Sequence, residues 1–377
     1  MQPDSSTDAG SIVSVRTYVI NARFAEKRMT GVQRSAHEIV SRLFSHDTGR
    51  YTLVSPKADT ESGSSLAVEQ RGHIRYGHLW EQMELPGIVR RAGSDAVLYS
   101  PETSGPLSVG RQVMTVHDLF VVEHPEWFSQ VFSAWYQWLM PRLVKRVAYI
   151  LANSEYTRQR VMERYKLPDE KVVLCRFAHN EQFAPASDEK VERFRSEQGL
   201  PERYLLSIES IEPRKNLATL AAAWKQTEAS GEGVKLIIAG GVDKVVHKTG
   251  GSGADALRDP TIQSVGFFQD EELPLLYQGA EAFAFPSLAE GFGLPILESM
   301  ACGTPVVCSD TTAIPETAGG AARLVPPRDV EAWVEAIDSV LSDGKIRRRM
   351  RSDGLRWAAR FSWSRTAEIV RATLESV

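Results

Sequence analysis

Two glutamates, Glu290 and Glu298, are separated by seven residues and enclose two glycines in the stretch FPSLAEGFGLPILE, from Phe285 to Glu298. A short apolar run, Ala282 to Phe285, ends at Pro286. Ser287 opens a turn, Gly291 and Gly293 flank Phe292, and an apolar helix starts near Leu294. The pattern is strand, glycine loop, helix. Glycine lets the backbone approach a ligand closely, and the free N–H groups of a helix N-terminus meet that ligand with the positive end of the dipole. The chemistry that suits such a turn is capture of an anion, most simply a phosphate. An acid this near would repel the phosphate itself, so the glutamates are expected to bond hydroxyls, for which a sugar or a ribose is the obvious source. A dinucleotide-binding loop would need a third glycine where Ile296 stands.

Arg214 and Lys215 lie in the string SIEPRKN, from Ser210 to Asn216, after one strand and before a helix. Arginine offers phosphate oxygens a rigid fork and lysine a compact charge, so the pair can neutralise a leaving diphosphate. His117 and Asp118 follow Val116 at the carboxyl end of another strand, where a histidine can present a donor or an acceptor to a sugar hydroxyl.

These residues together resemble the retaining GT-B glycosyltransferases, in particular the large family 4 group, whose E-x7-E motif stands here as Glu290 to Glu298. The resemblance implies that Glu290 and the amides of Phe292, Gly293 and Leu294 hold the donor sugar and phosphates, and that Glu298 holds the nucleotide ribose. It assigns Arg214 and Lys215 to the donor phosphates and makes His117 face the donor from the amino-terminal domain. Gly31, on the first loop, is where such enzymes let the backbone approach the donor phosphate. Thr30 and Arg34 beside it are expected to contact the acceptor together with Asp118, with Thr30 equally suited to be a helix N-cap. Gly240, after the strand ending at Ala239, and Phe267 are expected near the nucleotide base, with core packing an equal reading of Phe267 and Phe268. The string Thr30-Gly31-Val32-Gln33-Arg34 is most similar to bacterial polysaccharide transferases that use mannose or rhamnose donors, which selects GDP-mannose as the expected donor.

The elements that must position these residues are legible as an alternation. Strands are predicted over 12–20, 51–54, 96–99, 112–116, 149–152, 172–177, 204–208, 235–239, 264–267, 282–285, 305–308 and 322–325, with helical periodicity between most of them. Such alternation predicts parallel sheets covered by helices on both faces, with ligands at the carboxyl ends of the strands. The polar break between His179 and Asp188 predicts the interdomain linker. The resulting fold class is α/β of GT-B type, with two Rossmann-like doubly wound domains facing each other across a cleft. Residues 1–183 would bind the acceptor and 184–360 the nucleotide sugar, and a final segment, 361–377, is expected by analogy to cross back to the first domain.

With 377 residues and a formal net charge of −4, spread without a basic block, the chain is long enough for two cores and carries no sign of a nucleic-acid protein. The three cysteines, Cys175, Cys302 and Cys308, have no metal-ligand spacing and read as reduced core residues. No cluster suggests a metal site, so no metal and no other cofactor is expected, and Arg214 with Lys215 would do an ion's work. With neither a long apolar span nor a signal-peptide pattern, a cytoplasmic protein, free or peripheral on the inner membrane, is expected. The stretch from Trp127 to Arg146, rich in aromatics beside Arg142, Lys145 and Arg146, suits an interfacial helix and a core helix kinked at Pro141 equally. The expected activity is transfer of a hexosyl group with retention, from a nucleotide sugar to a saccharide or lipid-linked oligosaccharide acceptor. A nucleotide-sugar epimerase and a non-catalytic nucleotide-sugar sensor fit the same architecture.

Overall fold

The computed structural model describes residues 16–27, 29–47, 49–57, 66–209, 212–240 and 259–377. The polar start from Met1 to Gly10, the first part of the 12–20 strand, Ser210, Gly241 and the run from Gly250 to Gly253 lie outside the described residues.

Seven parallel strands form the first sheet: β1 (Tyr18–Asn21), β2 (Tyr51–Ser55), β3 (Val68–Gln70), β4 (Val97–Ser100), β5 (Gln112–Val116), β6 (Tyr149–Ala152) and β7 (Val172–Leu174), in the order β3-β2-β1-β4-β5-β6-β7. Six more form the second: β8 (Tyr204–Ile208), β9 (Lys235–Ala239), β10 (Ile262–Gly266), β11 (Ala282–Phe285), β12 (Val306–Ser309) and β13 (Arg323–Val325), in the order β10-β9-β8-β11-β12-β13. The inner strands are apolar on both sides because helices cover both faces, and β5, β11 and β12 are buried at every residue. In each sheet the strand order reverses once, between β1 and β4 and between β8 and β11. Loops diverge at such a point and open a crevice at the strand ends, the usual ligand position in doubly wound sheets.

The helices that matter for the site are α1 (Gly31–His46), α2 (Gln130–Arg146), α3 (Glu155–Tyr165), α4 (Leu217–Trp224), α5 (Leu294–Ala301), α6 (Gly344–Ala358) and α7 (Trp363–Glu375). Chain crossing from the first sheet to the second runs between Leu174 and the helix Asp188–Glu197. The predicted 172–177 strand stops at Leu174, because the next residues turn to pack under α7. The Cys175 thiol meets the Thr366 carbonyl at 3.7 Å, and the Phe177 and Trp363 rings lie 5.4 Å apart. Trp363, Val370 and Leu374 of α7 join the core formed by β1, β4 and α1, so the chain's last helix covers the first domain. Phe292, Leu294 and Leu297 enter the same core from the second domain, with Phe292 edge-on to Phe177 at 5.7 Å and to Phe361 at 6.2 Å.

The helix over the stretch from Trp127 to Arg146, α2, has a buried side and an exposed one. Tyr136, Leu139, Met140, Leu143 and Val144 of α2 are buried, while Val131, Phe132 and Trp138 are exposed, with the Arg142 guanidinium 4.9 Å from the Trp138 ring. Among the described residues no helix is long and apolar enough to cross a membrane, and the three cysteines are free and buried.

Candidate active site

Arg214, Lys215 and Glu290 meet at the reversal point of the second sheet, two from the loop after β8 and one from the loop after β11. Pro213 starts a 3-10 turn over Pro213–Lys215, and Asn216 ends it in the left-handed region at φ 56°, a conformation asparagine tolerates. The turn is tied to the opposite loop: Leu288 N–H donates to the Arg214 carbonyl at 2.8 Å, and Asn216 Nδ2 donates to the Pro286 carbonyl at 3.1 Å. Both cations therefore point the same way. Arg214 lies 2.9 Å and Lys215 Nζ 2.8 Å from one oxygen of Glu290. Burial alone would push the Glu290 carboxyl up, but Lys215 and then Arg214 outweigh it and hold its pKa down at about 2. The pair of cations thus favours the ionised form of Glu290 at this strand end.

Two residues of this site escaped the sequence reading. Glu209, directly after β8, has a fully buried side chain with Lys215 Nζ 3.1 Å away. Burial pushes its pKa up to about 7, Lys215 only partly offsets that, and Glu290 adds to it. A lone acid after a strand has no spacing to mark it. Thr312 accepts the Glu290 N–H at 3.0 Å and sits at φ 52°, an uncommon backbone conformation for a β-branched residue. Its strained turn fixes the backbone that carries Glu290, and positive φ in a threonine leaves no signal in sequence.

Gly293 is the N-cap of α5 at φ 97°, so the chain reverses there in a conformation that a side chain would strain. In the first turn of α5 the Leu294 amide has no partner inside the helix, Pro295 has no N–H, and the Ile296 N–H donates to the Gly293 carbonyl at 3.1 Å. Gly291 has a different reason from the close ligand approach that its position suggests. A Cβ there would come within 1.9 Å of the His117 carbonyl oxygen, so this glycine lets the two domains touch. Its own carbonyl accepts from Ser154 Oγ at 2.6 Å and Thr157 Oγ1 at 3.2 Å across the cleft.

Glu298 is buried and accepts from the Tyr277 hydroxyl at 3.2 Å. Arg34, expected on the acceptor side, reaches across from α1 to Glu298 at 2.9 Å and Asp270 at 2.6 Å. It thus holds the acid assigned by resemblance to the ribose. Burial raises the Glu298 pKa, and Arg34 and Tyr277 partly offset that. Gly31 faces Leu294, whose Cδ1 lies 3.8 Å from a Cβ placed on the glycine. Thr30 is the N-cap residue of α1, but its hydroxyl bonds the Gln33 side chain and no backbone amide. Gln33 in turn donates to Glu102 at 2.9 Å, and Lys27 pairs with Glu102 at 2.7 Å, so the loops after β1 and β4 share a polar network that the sequence did not mark.

His117 is buried, with Nε2 2.8 Å from the Pro101 carbonyl. A carbonyl can only accept, so Nε2 carries the hydrogen and Nδ1 is the acceptor. Burial lowers the ring's pKa below its ordinary value, which keeps this neutral form. The Asp118 carboxylate accepts the Phe120 N–H at 3.0 Å, and burial raises its pKa while Arg214 across the cleft lowers it. In the first domain, an open cavity of about 670 Å³ is lined by Glu123, His124, Tyr156 and Arg160 among others.

Gly240, at φ 127° and hydrogen-bonded from its N–H to the Gly266 carbonyl at 2.7 Å, leaves no room for a Cβ, which would fall 2.2 Å from the Glu209 carbonyl oxygen. Phe267 and Phe268 part company: Phe267 is 61% exposed, whereas Phe268 packs in the second domain's core against Phe194. Among the described residues no group of three or more His, Cys, Asp or Glu side chains could hold a metal ion.

With this geometry in view, similarity to known proteins becomes informative. Residues 29–176 match the family described as Glycosyltransferase Family 4, and residues 188–357 match Glycosyl transferases group 1. The chain is 31% identical over 274 residues to O-antigen chain mannosyltransferase B of Escherichia coli, covering 71% of each protein. It is 30% identical over 233 residues to the serotype-specific mannosyltransferase WbdA of Escherichia coli, covering 60% of this chain and 28% of that protein, so it spans little more than a quarter of that relative. Among solved structures, Anabaena Alr3699/HepE in complex with UDP and glucose aligns with a TM-score of 0.77 at 18% identity, covering 96% of this chain and 100% of that one. WaaG, a glycosyltransferase involved in lipopolysaccharide biosynthesis, aligns with a TM-score of 0.72 at 14% identity, covering 95% and 98%. At these identities the structural matches show the GT-B fold.

Proposed function

This chain belongs to the family 4, group 1 glycosyltransferases, and from that premise we propose that it transfers a mannosyl group from GDP-mannose to a saccharide acceptor, with retention of configuration and without a metal ion. The observation that carries the reading is the clamp at the reversal point of the second sheet, where two partly buried cations share one oxygen of Glu290. The donor diphosphate would lie against Arg214, Lys215 and the α5 amides. As the glycosidic bond breaks, charge grows on the leaving diphosphate, and cations already fixed in place stabilise that charge without reorganising. Glu290 would bond the sugar hydroxyls and Glu298 the ribose. Neutral His117 would accept a hydroxyl hydrogen bond from the sugar at Nδ1, while a donor phosphate oxygen takes the acceptor's proton.

The donor sugar is chosen on the names of the two mannosyltransferase relatives and on the Thr30–Arg34 string. The acceptor would enter beside Asp118 and the Glu123–Arg160 cavity of the first domain. We place a lipid-linked oligosaccharide there, with the exposed Val131, Phe132 and Trp138 of α2 resting on the inner membrane beside Arg142 and Lys145. Domain closure would exclude water and limit hydrolysis of the donor.

The decisive experiment incubates the protein with GDP-mannose, UDP-glucose and other nucleotide sugars, with and without a membrane extract, and follows the new anomeric centre by proton NMR. An α-linked mannosyl product, formed equally well in EDTA, is the expected result. A β-linked product means that His117 or Asp118 acts as base and the mechanism is wrong. Loss of activity in EDTA sinks the metal-free arrangement. Conversion of donor with no acceptor present means an epimerase.

A further inference from the structure

Glu209 occupies an unusual position for an acid. Its residue exposure is 3%, and the Lys215 ammonium, 3.1 Å away, is the polar partner its carboxylate has among the described residues. Its backbone is held in place. Its N–H is held by the Ala239 carbonyl at 2.9 Å, and Gly240 presses on its backbone so closely that a Cβ there would lie 2.2 Å from its carbonyl oxygen. The charges that face it are Lys215 at 3.1 Å and, beyond that ammonium, Glu290 and Arg214. Lys215 is therefore one cation between two carboxylates. The outer side of Arg214 is faced by Glu212 at 3.6 Å and, from the first domain, by Asp118.

In the ligand-free site the two cations balance Glu209 and Glu290. A nucleotide-sugar diphosphate brings two further negative charges and competes for the same ammonium and guanidinium. We propose that Glu209 is a positioning residue that takes up a proton when the donor diphosphate binds, which frees Lys215 to turn to the phosphates without leaving a bare buried carboxylate behind it. The proposal rests on the donor reading above. The choice falls on Glu209 and not on Glu290 because Glu290 touches both cations, at 2.9 and 2.8 Å, and Glu209 only one, at 3.1 Å. The difference in proton affinity runs the same way, with Glu209 at about 7 and Glu290 at about 2. The proton comes from solvent on binding and returns when the nucleoside diphosphate leaves, so no bond to carbon is involved.

Isothermal titration of the full chain with GDP-mannose at pH 8, in buffers of small and large ionisation enthalpy, reads the proton directly. A nucleotide sugar has no titrating terminal phosphate, so uptake reports the protein. Most of one proton per donor is expected, and donor affinity should fall about five- to tenfold between pH 7 and pH 8.5. Glu209→Gln, which keeps the shape and removes the charge, should bind with no proton uptake and with a flat pH profile, a readout that a merely structural role would not move. If the variant fails to fold, the wild-type uptake still decides, with Glu209→Asp as the second variant expected to keep it. Wild-type binding with no uptake overturns the proposal. So does uptake that persists in Glu209→Gln, since His117, Asp118 or Glu298 would then carry the proton. If GDP-mannose fails to bind and UDP-glucose binds, the donor assignment falls, and the same titration with UDP-glucose decides this proposal. If neither binds, both readings fall.

Discussion

Glu290, Glu298 and Glu209 are one side chain in three surroundings, and their surroundings assign them different work. Glu290 has two cations at one oxygen and is held ionised, while Glu298 is buried against a tyrosine hydroxyl and a single arginine and is shifted upward. An acid kept for a hydroxyl pair suits Glu298. Replacing it by glutamine should weaken donor binding by roughly 1–3 kcal/mol, the range for a hydrogen bond to a charged group. Unchanged affinity in a calorimetric titration would remove Glu298 from the nucleotide site. Glu209 makes a second, independent prediction about the free protein. Its folded pKa of about 7 lies above the unfolded glutamate value of about 4.3, so between these values the folded chain holds a proton the unfolded chain has lost. Stability should therefore decline as pH rises from about 4.3 to about 7, by up to about 4 kcal/mol from this group alone, and stay level above. Thermal melts of Glu209→Gln should show a shallower decline between pH 5 and pH 8 than wild type, and parallel curves would show that Glu209 does not titrate there. The glutamate pair and the arginine–lysine pair were legible because each has a spacing set by a turn. Glu209 was not, because its role comes from a depth in the fold that no neighbour in sequence records.

Helix α5 and the turn before it show what a short element must do to expose its amides. With eight residues it has little intrinsic stability, and its position is set by burial of Ile296, Leu297 and Met300 together with the left-handed cap at Gly293. Gly293→Ala would force a Cβ into φ 97°, and although Ile296 Cδ1 at 3.2 Å can shift, the backbone cost remains. A loss of about 1–2 kcal/mol is expected in urea unfolding, with weaker donor binding, and a variant as stable as wild type would mean that the cap relaxes freely. Elements like these were readable when apolar runs met proline or glycine: β8, β9, β11 and α4 begin and end where the pattern changes. The edge strand β3 was missed because Glu69 and Gln70 face solvent and leave no apolar alternation. The 264–267 strand is displaced to Ile262–Gly266, since Gly266 at φ 76° ends the strand and releases Phe267 to the surface.

At the scale of the molecule, the two domains are joined by an apolar wedge around Phe292 and by polar contacts. Glu316 makes the most connected of these. From the second domain it accepts the Glu155 N–H at 2.7 Å and the Tyr156 N–H at 3.3 Å, and it meets Arg176 at 2.8 Å. It therefore caps the first turn of α3, a helix of the other domain, and satisfies amides that α3 cannot satisfy itself. Ser154 and Thr157, at the same helix start, hold the Gly291 carbonyl, so this contact lies one loop away from Glu290 and from His117. An interdomain cap of this kind favours the arrangement in which the two domains touch. Glu316→Ala should shift free protein toward the open form, seen as a larger radius of gyration in solution scattering. Turnover should fall by about tenfold if the lost contacts amount to about 1.4 kcal/mol of closure, while the donor's proton uptake should persist because the clamp is intact. Serine at the α3 start still caps its own helix through the Thr157 N–H at 3.0 Å, so the variant is expected to fold. Unchanged scattering together with unchanged turnover would show that Glu316 contributes nothing to holding the domains together.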